Sequence, residues 1–217
     1  MKISRLSICL TTTLLTVALN APAFAQDGAA SKPDEKPAGG PPDAQMMATM
    51  MEMAKPNENH KVLEKEVGSW TYKVKWWMSP QAPPMESTGT CSTKSVMDGR
   101  YFISEHTGKM SMPGPDGKMM DSDFKGIGTE GYDNAKKKYV ASWIDNMGTG
   151  IMSMEGTWDP ATKTITYIGE EEMMPGMKIK IRQTIKTIDN DHHLMEFFQA
   201  QGDAEIKVME IAYARSS

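Results

Sequence analysis

From Gly68 to the C-terminus, apolar and polar residues alternate in short runs broken by turn residues every eight to twelve positions, the pattern of strands with one buried face. Trp70, Tyr72, Val74 and Trp76 alternate with Thr71, Lys73 and Lys75, and Ile179, Ile181 and Ile185 with Lys178, Lys180 and Arg182. Phe124, Gly126, Gly128 and Tyr132 share one parity, as do Met152, Met154 and Trp158. The spacing predicts ten strands, at 69–78, 87–97, 100–107, 122–132, 137–145, 149–158, 163–170, 177–188, 192–199 and 204–214. Turn dipeptides such as Asp98-Gly99, Asp133-Asn134, Asp159-Pro160, Pro175-Gly176 and Asp189-Asn190 join them as successive hairpins. An open meander leaves two strand edges exposed, and closure removes both, so an all-β, single up-and-down antiparallel β-barrel is expected over 68–215.

Upstream the periodicity changes. Within 44–67, Met46, Met50 and Met53 recur at helical spacing after Asp43, Pro56 ends the run, and a second helical piece is expected from Glu58 to Val67. Residues 26–43 hold no large hydrophobe and are expected to be a disordered leader. Residues 1–25 combine Lys2 and Arg5, an apolar run and Ala23-Phe24-Ala25, which predicts a signal peptide, secretion and a periplasmic location. That run is shorter than the roughly 20 residues a bilayer requires, so no membrane span is expected after cleavage.

Composition narrows the partners. The chain has 24 basic and 28 acidic residues, and loss of Lys2 and Arg5 with the leader makes the balance more acidic still. Neither nucleic acid nor an anionic membrane is expected as a partner. Only Cys91 lies beyond the leader, so no intramolecular disulfide is expected and stability must come from burial.

Gly68-Ser69-Trp70 at the opening and Arg215 in the closing strand are similar to the Gly-x-Trp and late arginine of lipocalin-like barrels. In those barrels the arginine packs across the tryptophan at the closed end. MDGRYF at Met97–Phe102, the glycine-rich run into GYDN at Phe124–Asn134, the Trp143–Gly150 segment and MEIAYAR at Met209–Arg215 together resemble the bacterial secreted family known as domain of unknown function 1579. The resemblance covers Glu64 to Arg215. It implies a calycin-type barrel and supplies no catalytic residue.

Three chemistries are open to such a barrel. A lumen lined by Trp76, Tyr101, Trp143 and Trp158, with Asp145, Glu196 and Glu210 among the lining residues, suits a small apolar or amphipathic molecule bound without chemistry or cofactor. The carboxylates Asp145, Glu196 and Glu210 share parity with apolar neighbours, and as inward acid/base groups they would make an enzyme instead. Thioethers are soft ligands, and Met46, Met47, Met50 and Met51 present them at helical spacing, which suits Cu(I). Cys91 is expected to be a buried small residue without a histidine partner, and His192-His193 an exposed pair beside a turn. The stretch Gly108–Ser122 is expected to be a long methionine-rich connection able to act as a lid.

Overall fold

The computed structural model describes residues 43–114, 116–202 and 204–216; the expected signal peptide and nearly all of the leader lie outside them. The chain enters through α1 (Ala44–Met53), α2 (Glu58–Leu63) and a 3-10 turn, Glu64–Glu66. Ten strands follow: β1 (Gly68–Trp76), β2 (Met85–Val96), β3 (Tyr101–Pro113), β4 (Met119–Asp133), β5 (Lys138–Asp145), β6 (Met152–Asp159), β7 (Thr164–Met174), β8 (Met177–Thr187), β9 (His192–Gln201) and β10 (Ala204–Arg215). Every strand pairs antiparallel with its neighbours in sequence, and β1 pairs with β10 to close the barrel. The all-β up-and-down barrel expected from the alternation is therefore the observed fold.

The register defines an inner face. Trp70, Tyr72, Val74 and Trp76 of β1 sit opposite Arg215, Tyr213, Ile211 and Met209 of β10 and opposite Cys91, Gly89, Ser87 and Met85 of β2. Leu63, Phe102, Tyr139, Met154, Ile165, Tyr167, Ile181, Ile185 and Phe197 form one buried cluster, and Trp70, Tyr72, Cys91 and Tyr213 a second. The ends of the barrel differ. At the end where β1 begins, α2 and the 3-10 turn form a plug, with Leu63 fully buried.

Polar anchors hold that plug. Asn57 and His60 form a reciprocal capping box on α2, and the Tyr139 hydroxyl donates to the Asn59 carbonyl at 3.2 Å. Trp70 Nε1 donates to the Glu66 carbonyl at 2.8 Å, and Arg215 donates to the carbonyls of Val67 and Lys65 at 2.9 and 3.1 Å. The Arg215 guanidinium lies 4.1 Å from the centroid of the Trp70 ring, the packing that the lipocalin resemblance implies. Asn134, in the turn after GYD, donates to the carbonyls of Met53 and Lys55 and accepts from Asn57. The turn is thus a clamp on the helices as well as a reversal of the chain.

One connection departs from expectation. The stretch 108–122 is not a loose insertion: the ladder runs on to Met112 opposite Met120 and Pro113 opposite Met119. The lengthened strands pair with each other beyond the ends of β2 and β5, and that ladder takes up backbone groups that a loop would leave to water.

Candidate functional site in the barrel interior

The opposite end, ringed by residues 77–84, 116–118, 146–151 and 175–176 with Gly114 and Gly202, carries no helix among the described residues. Its inner face differs from that of the plugged end. Trp76, Met85, Met110, Phe124, Met152 and Ile179 point inward by register yet stay half-buried. Deeper in, Trp143 forms a waist. Its ring lies across Gly126, where a Cβ would collide with it, and beside Gly128, where a Cβ would collide with Ser104 Oγ, and it stacks on Phe124 with centroids 6.3 Å apart. These glycines therefore seat an aromatic side chain rather than leaving free space. Asp145 fixes the ring by accepting from Trp143 Nε1 at 2.8 Å and from the Met147 amide at 2.9 Å.

Below the waist the interior is polar in an unexpected place. Glu130, opposite Phe102 on β3 and Ala141 on β5, faces inward with Glu66 of the plug and Tyr167 of β7 close enough to perturb its ionisation. Burial, reinforced by the Glu130 charge, holds the Glu66 carboxyl well above the usual carboxylate range. Glu130 is raised by burial as well, with Tyr167 and Glu66 opposing the shift. Glu130 Oε1 and the Tyr167 hydroxyl are buried beside each other, close enough for the hydroxyl to lower the Glu130 carboxyl, yet neither makes a well-aligned hydrogen bond among the described residues. Replacing Tyr167 with phenylalanine is therefore expected to raise unfolding free energy by about 1 kcal/mol, because it removes a desolvated hydroxyl while keeping the ring. Urea denaturation measures this, and a loss of comparable size would show that the hydroxyl is bonded.

A second inward group surrounds Tyr213. The ring of His193 stacks on it at 4.2 Å and meets Trp70 edge-on at 4.5 Å. His106 Nε2 lies 3.4 Å from Cys91 Sγ, and the Tyr72 hydroxyl donates to the Thr107 carbonyl at 3.1 Å. Burial lowers His106 to about 4 and, helped by the Arg215 charge, His193 to about 4. Burial also pushes the Cys91 thiol up to about 11, the opposite direction from the shift that activates a cysteine.

These positions correct several expectations. Cys91 does have a histidine beside it, and only His192 of the terminal pair is exposed, bonded to Asp189; His193 is buried because it leads β9 with its side chain on the inner face. Glu196 and Glu210 are partners in register, but on the outer wall, where Lys207 Nζ bridges them at 3.1 and 2.6 Å. A bulge between Lys207 and Met209 reverses the parity of β10, so Ile206 and Met209 face inward while Glu210 faces out. On β9 the apolar residues sharing the parity of Glu196 are outer-wall residues, and Phe198 is covered by the Arg182 guanidinium at 3.8 Å. Tyr101 is also on the outer wall, 42 % exposed, while its neighbour Phe102 is the buried one.

Trp76, Trp143, Trp158 and Asp145 do lie on the inner face. Trp158 packs against the plugged-end cluster, so the inward tryptophans are spread along the barrel rather than gathered around one space. Met46, Met47, Met50 and Met51 are all exposed on α1, a helix with no buried residue. Sequence reasoning missed Glu66 and Glu130. Glu130 falls between Gly128 and Tyr132 on a parity already read as inward, whereas Glu66, in a 3-10 turn, carries no strand signal at all.

A shallow cleft of about 470 Å³ lies on the outer wall beside Tyr101, Gly131, Val140, Glu155 and Ile168. No described helix is long and apolar enough to cross a membrane. Residues 55–215 match the model of a family described as a protein of unknown function, DUF1579. Among solved structures, a redesigned beta barrel is similar with a TM-score of 0.34 and 12% identity, over 73% of this chain and 95% of that one. No curated protein matches the chain.

Proposed function

Because the chain belongs to the DUF1579 family of proteins of unknown function, its role has to be read from the barrel, and we propose that the lumen binds a small apolar or amphipathic molecule without changing it. The observation that carries this reading is the contrast between the two ends. Most large inward side chains at the plugged end are buried, with Tyr132 and Trp158 half-buried against them, whereas Trp76, Met110, Phe124 and Ile179 at the other end face the lumen, remain half-buried and lie outside both buried clusters. An apolar surface that is concave and incompletely packed is the usual ground for a small-molecule site. Methionine and aromatic side chains adapt to varied apolar shapes. The proposal places the protein in a periplasm, on the pattern of its leader, where an acidic chain meets small molecules without a pull toward nucleic acid.

Native mass spectrometry of protein taken from its own compartment tests the reading, together with titration of the environment-sensitive amphiphile 1-anilinonaphthalene-8-sulfonate. A co-purifying organic mass and saturable dye binding are expected. Ile179→Glu, which sets a charge on the inner wall of the open half, is expected to weaken the dye about tenfold or more with the fold retained. A clean apo mass together with dye binding indifferent to that substitution would remove the proposal.

A second reading, acid–base catalysis, has Glu66, Glu130 and Tyr167 behind it rather than the carboxylates picked from the sequence. It requires that a co-purified molecule be turned over and that Glu130→Gln stop the turnover while leaving dye binding intact.

A further inference from the structure

Methionine is concentrated around the open end, in the β3–β4 hairpin, in the β5–β6 connection at Met147, and in the β7–β8 hairpin at Met173, Met174 and Met177. Most of these side chains are exposed, Met119, Met120, Met173 and Met174 by more than half, and burial therefore does not account for their choice. In the β3–β4 hairpin the arrangement is specific. Met112 and Met120 are partners in register, and Met110, opposite Ser122, lies two residues from Met112. Because side chains two apart share a face and cross-strand partners have Cβ atoms about 5 Å apart, all three thioethers stand on the inner face at one corner of the rim. Gly114 keeps the tip clear for them: a Cβ there would meet the Met120 sulfur.

Thioether sulfur is a soft, neutral donor. It stabilises Cu(I) and its analogue Ag(I), and it has little affinity for Zn²⁺, Mg²⁺ or Ca²⁺. Among the described residues no group of three His, Cys, Asp or Glu side chains is placed to hold a metal ion. The ladder fixes two of the three donor positions before a metal arrives, which lowers the ordering cost of assembling the site. On α1, by contrast, Met46, Met47, Met50 and Met51 are exposed on a helix whose C-terminal end is held by Asn134 and Arg100.

We propose that the β3–β4 hairpin binds one soft monovalent cation, Cu(I), through the thioethers of Met110, Met112 and Met120. The site shares Met110 with the lumen wall but lies at the rim and needs no organic ligand.

The test is anaerobic competition of Cu(I) against a chromophoric chelator, repeated with Ag(I), on the full chain and two variants. The triple variant M110L/M112L/M120L keeps side-chain volume and is expected to weaken Cu(I) at least about a hundredfold. The quadruple variant M46L/M47L/M50L/M51L is expected to change it less than about threefold. X-ray absorption of the Cu(I)-loaded wild-type protein is expected to show sulfur scatterers in the first coordination sphere. Unchanged affinity in the triple variant, loss in the helix variant instead, or a coordination sphere of nitrogen and oxygen alone would each overturn the assignment. Should the triple variant fail to fold, the X-ray absorption result and the single variant M112L decide in its place. Persistence of dye binding in M112L, which leaves the lumen-facing Met110 in place, separates this site from the lumen.

Discussion

Replacing Leu63 with alanine is expected to cost about 2–5 kcal/mol of unfolding free energy and to expose the N-terminal segment to proteolysis while the strands stay paired. Leu63 is the fully buried residue of α2 and belongs to the same cluster as Phe102, Tyr139, Ile165 and Tyr167. A helix of six residues is not stable by itself, so the plug exists because its apolar contact and its polar anchors act together. The anchors are weaker. Tyr139→Phe, which deletes the bond to Asn59, is expected to cost about 1 kcal/mol. Urea denaturation gives the two energies, and limited proteolysis between residues 54 and 63 reports release of the plug. A Leu63→Ala protein within about 1 kcal/mol of wild type, with the segment still protected, would show that the plug is held by its hydrogen bonds alone.

The strands were legible in the chain because one face of each is buried and the period of two survives in the sequence, as Trp70, Tyr72, Val74 and Trp76 show. Register was harder. In β10 the run Ile206-Lys207-Val208-Met209 has apolar residues on both parities, and the bulge at Lys207/Met209 decides which parity faces in. No local pattern announces that extra residue, and so Glu210 was expected inside. In β9 both faces are apolar because the outer face carries Leu194 and Phe198, the latter shielded by an arginine from β8. Only tertiary packing distinguishes the two.

The buried carboxyl cluster was half legible. Glu130 sits on a face already marked by Gly126, Gly128 and Tyr132, where the large ring of Trp143 fills the space that the glycines leave. Its partner Glu66 comes from a 3-10 turn whose docking brings together groups 64 residues apart in sequence. Short-range periodicity has no access to such a contact. The polar residues that attracted attention instead, Asp145 and Asn134, have local explanations. Asp145 orients Trp143, and Asn134 clamps the helices.

The glutamates and the buried histidines should impose opposite pH dependences on stability, and substitution should separate them. His106 and His193, held at about 4 by burial, are neutral in the folded barrel, whereas in the unfolded chain they take up protons near their ordinary value of 6.5. Between pH 6.5 and 4 the unfolded state binds more protons, so acidification costs stability, at most about 3 kcal/mol for each histidine. Glu66 and Glu130 work the other way. Their folded carboxyls are raised, chiefly by burial, so above about pH 4.5 the unfolded chain releases protons that the folded barrel retains, and stability falls as pH rises toward the folded values. In the wild-type protein the two slopes oppose each other between pH 4.5 and 6.5. The double variant E66Q/E130Q lacks the carboxyl limb, so its stability is expected to climb with pH through that window and to exceed wild type above pH 7. Gln at these positions no longer requires an ionisable group to remain protonated inside the barrel. Urea midpoints from pH 4 to 8 measure both curves. Parallel curves for wild type and E66Q/E130Q would mean that the two carboxyls reach solvent, and the interior acid cluster would then have to be redrawn as part of the plug's outer surface.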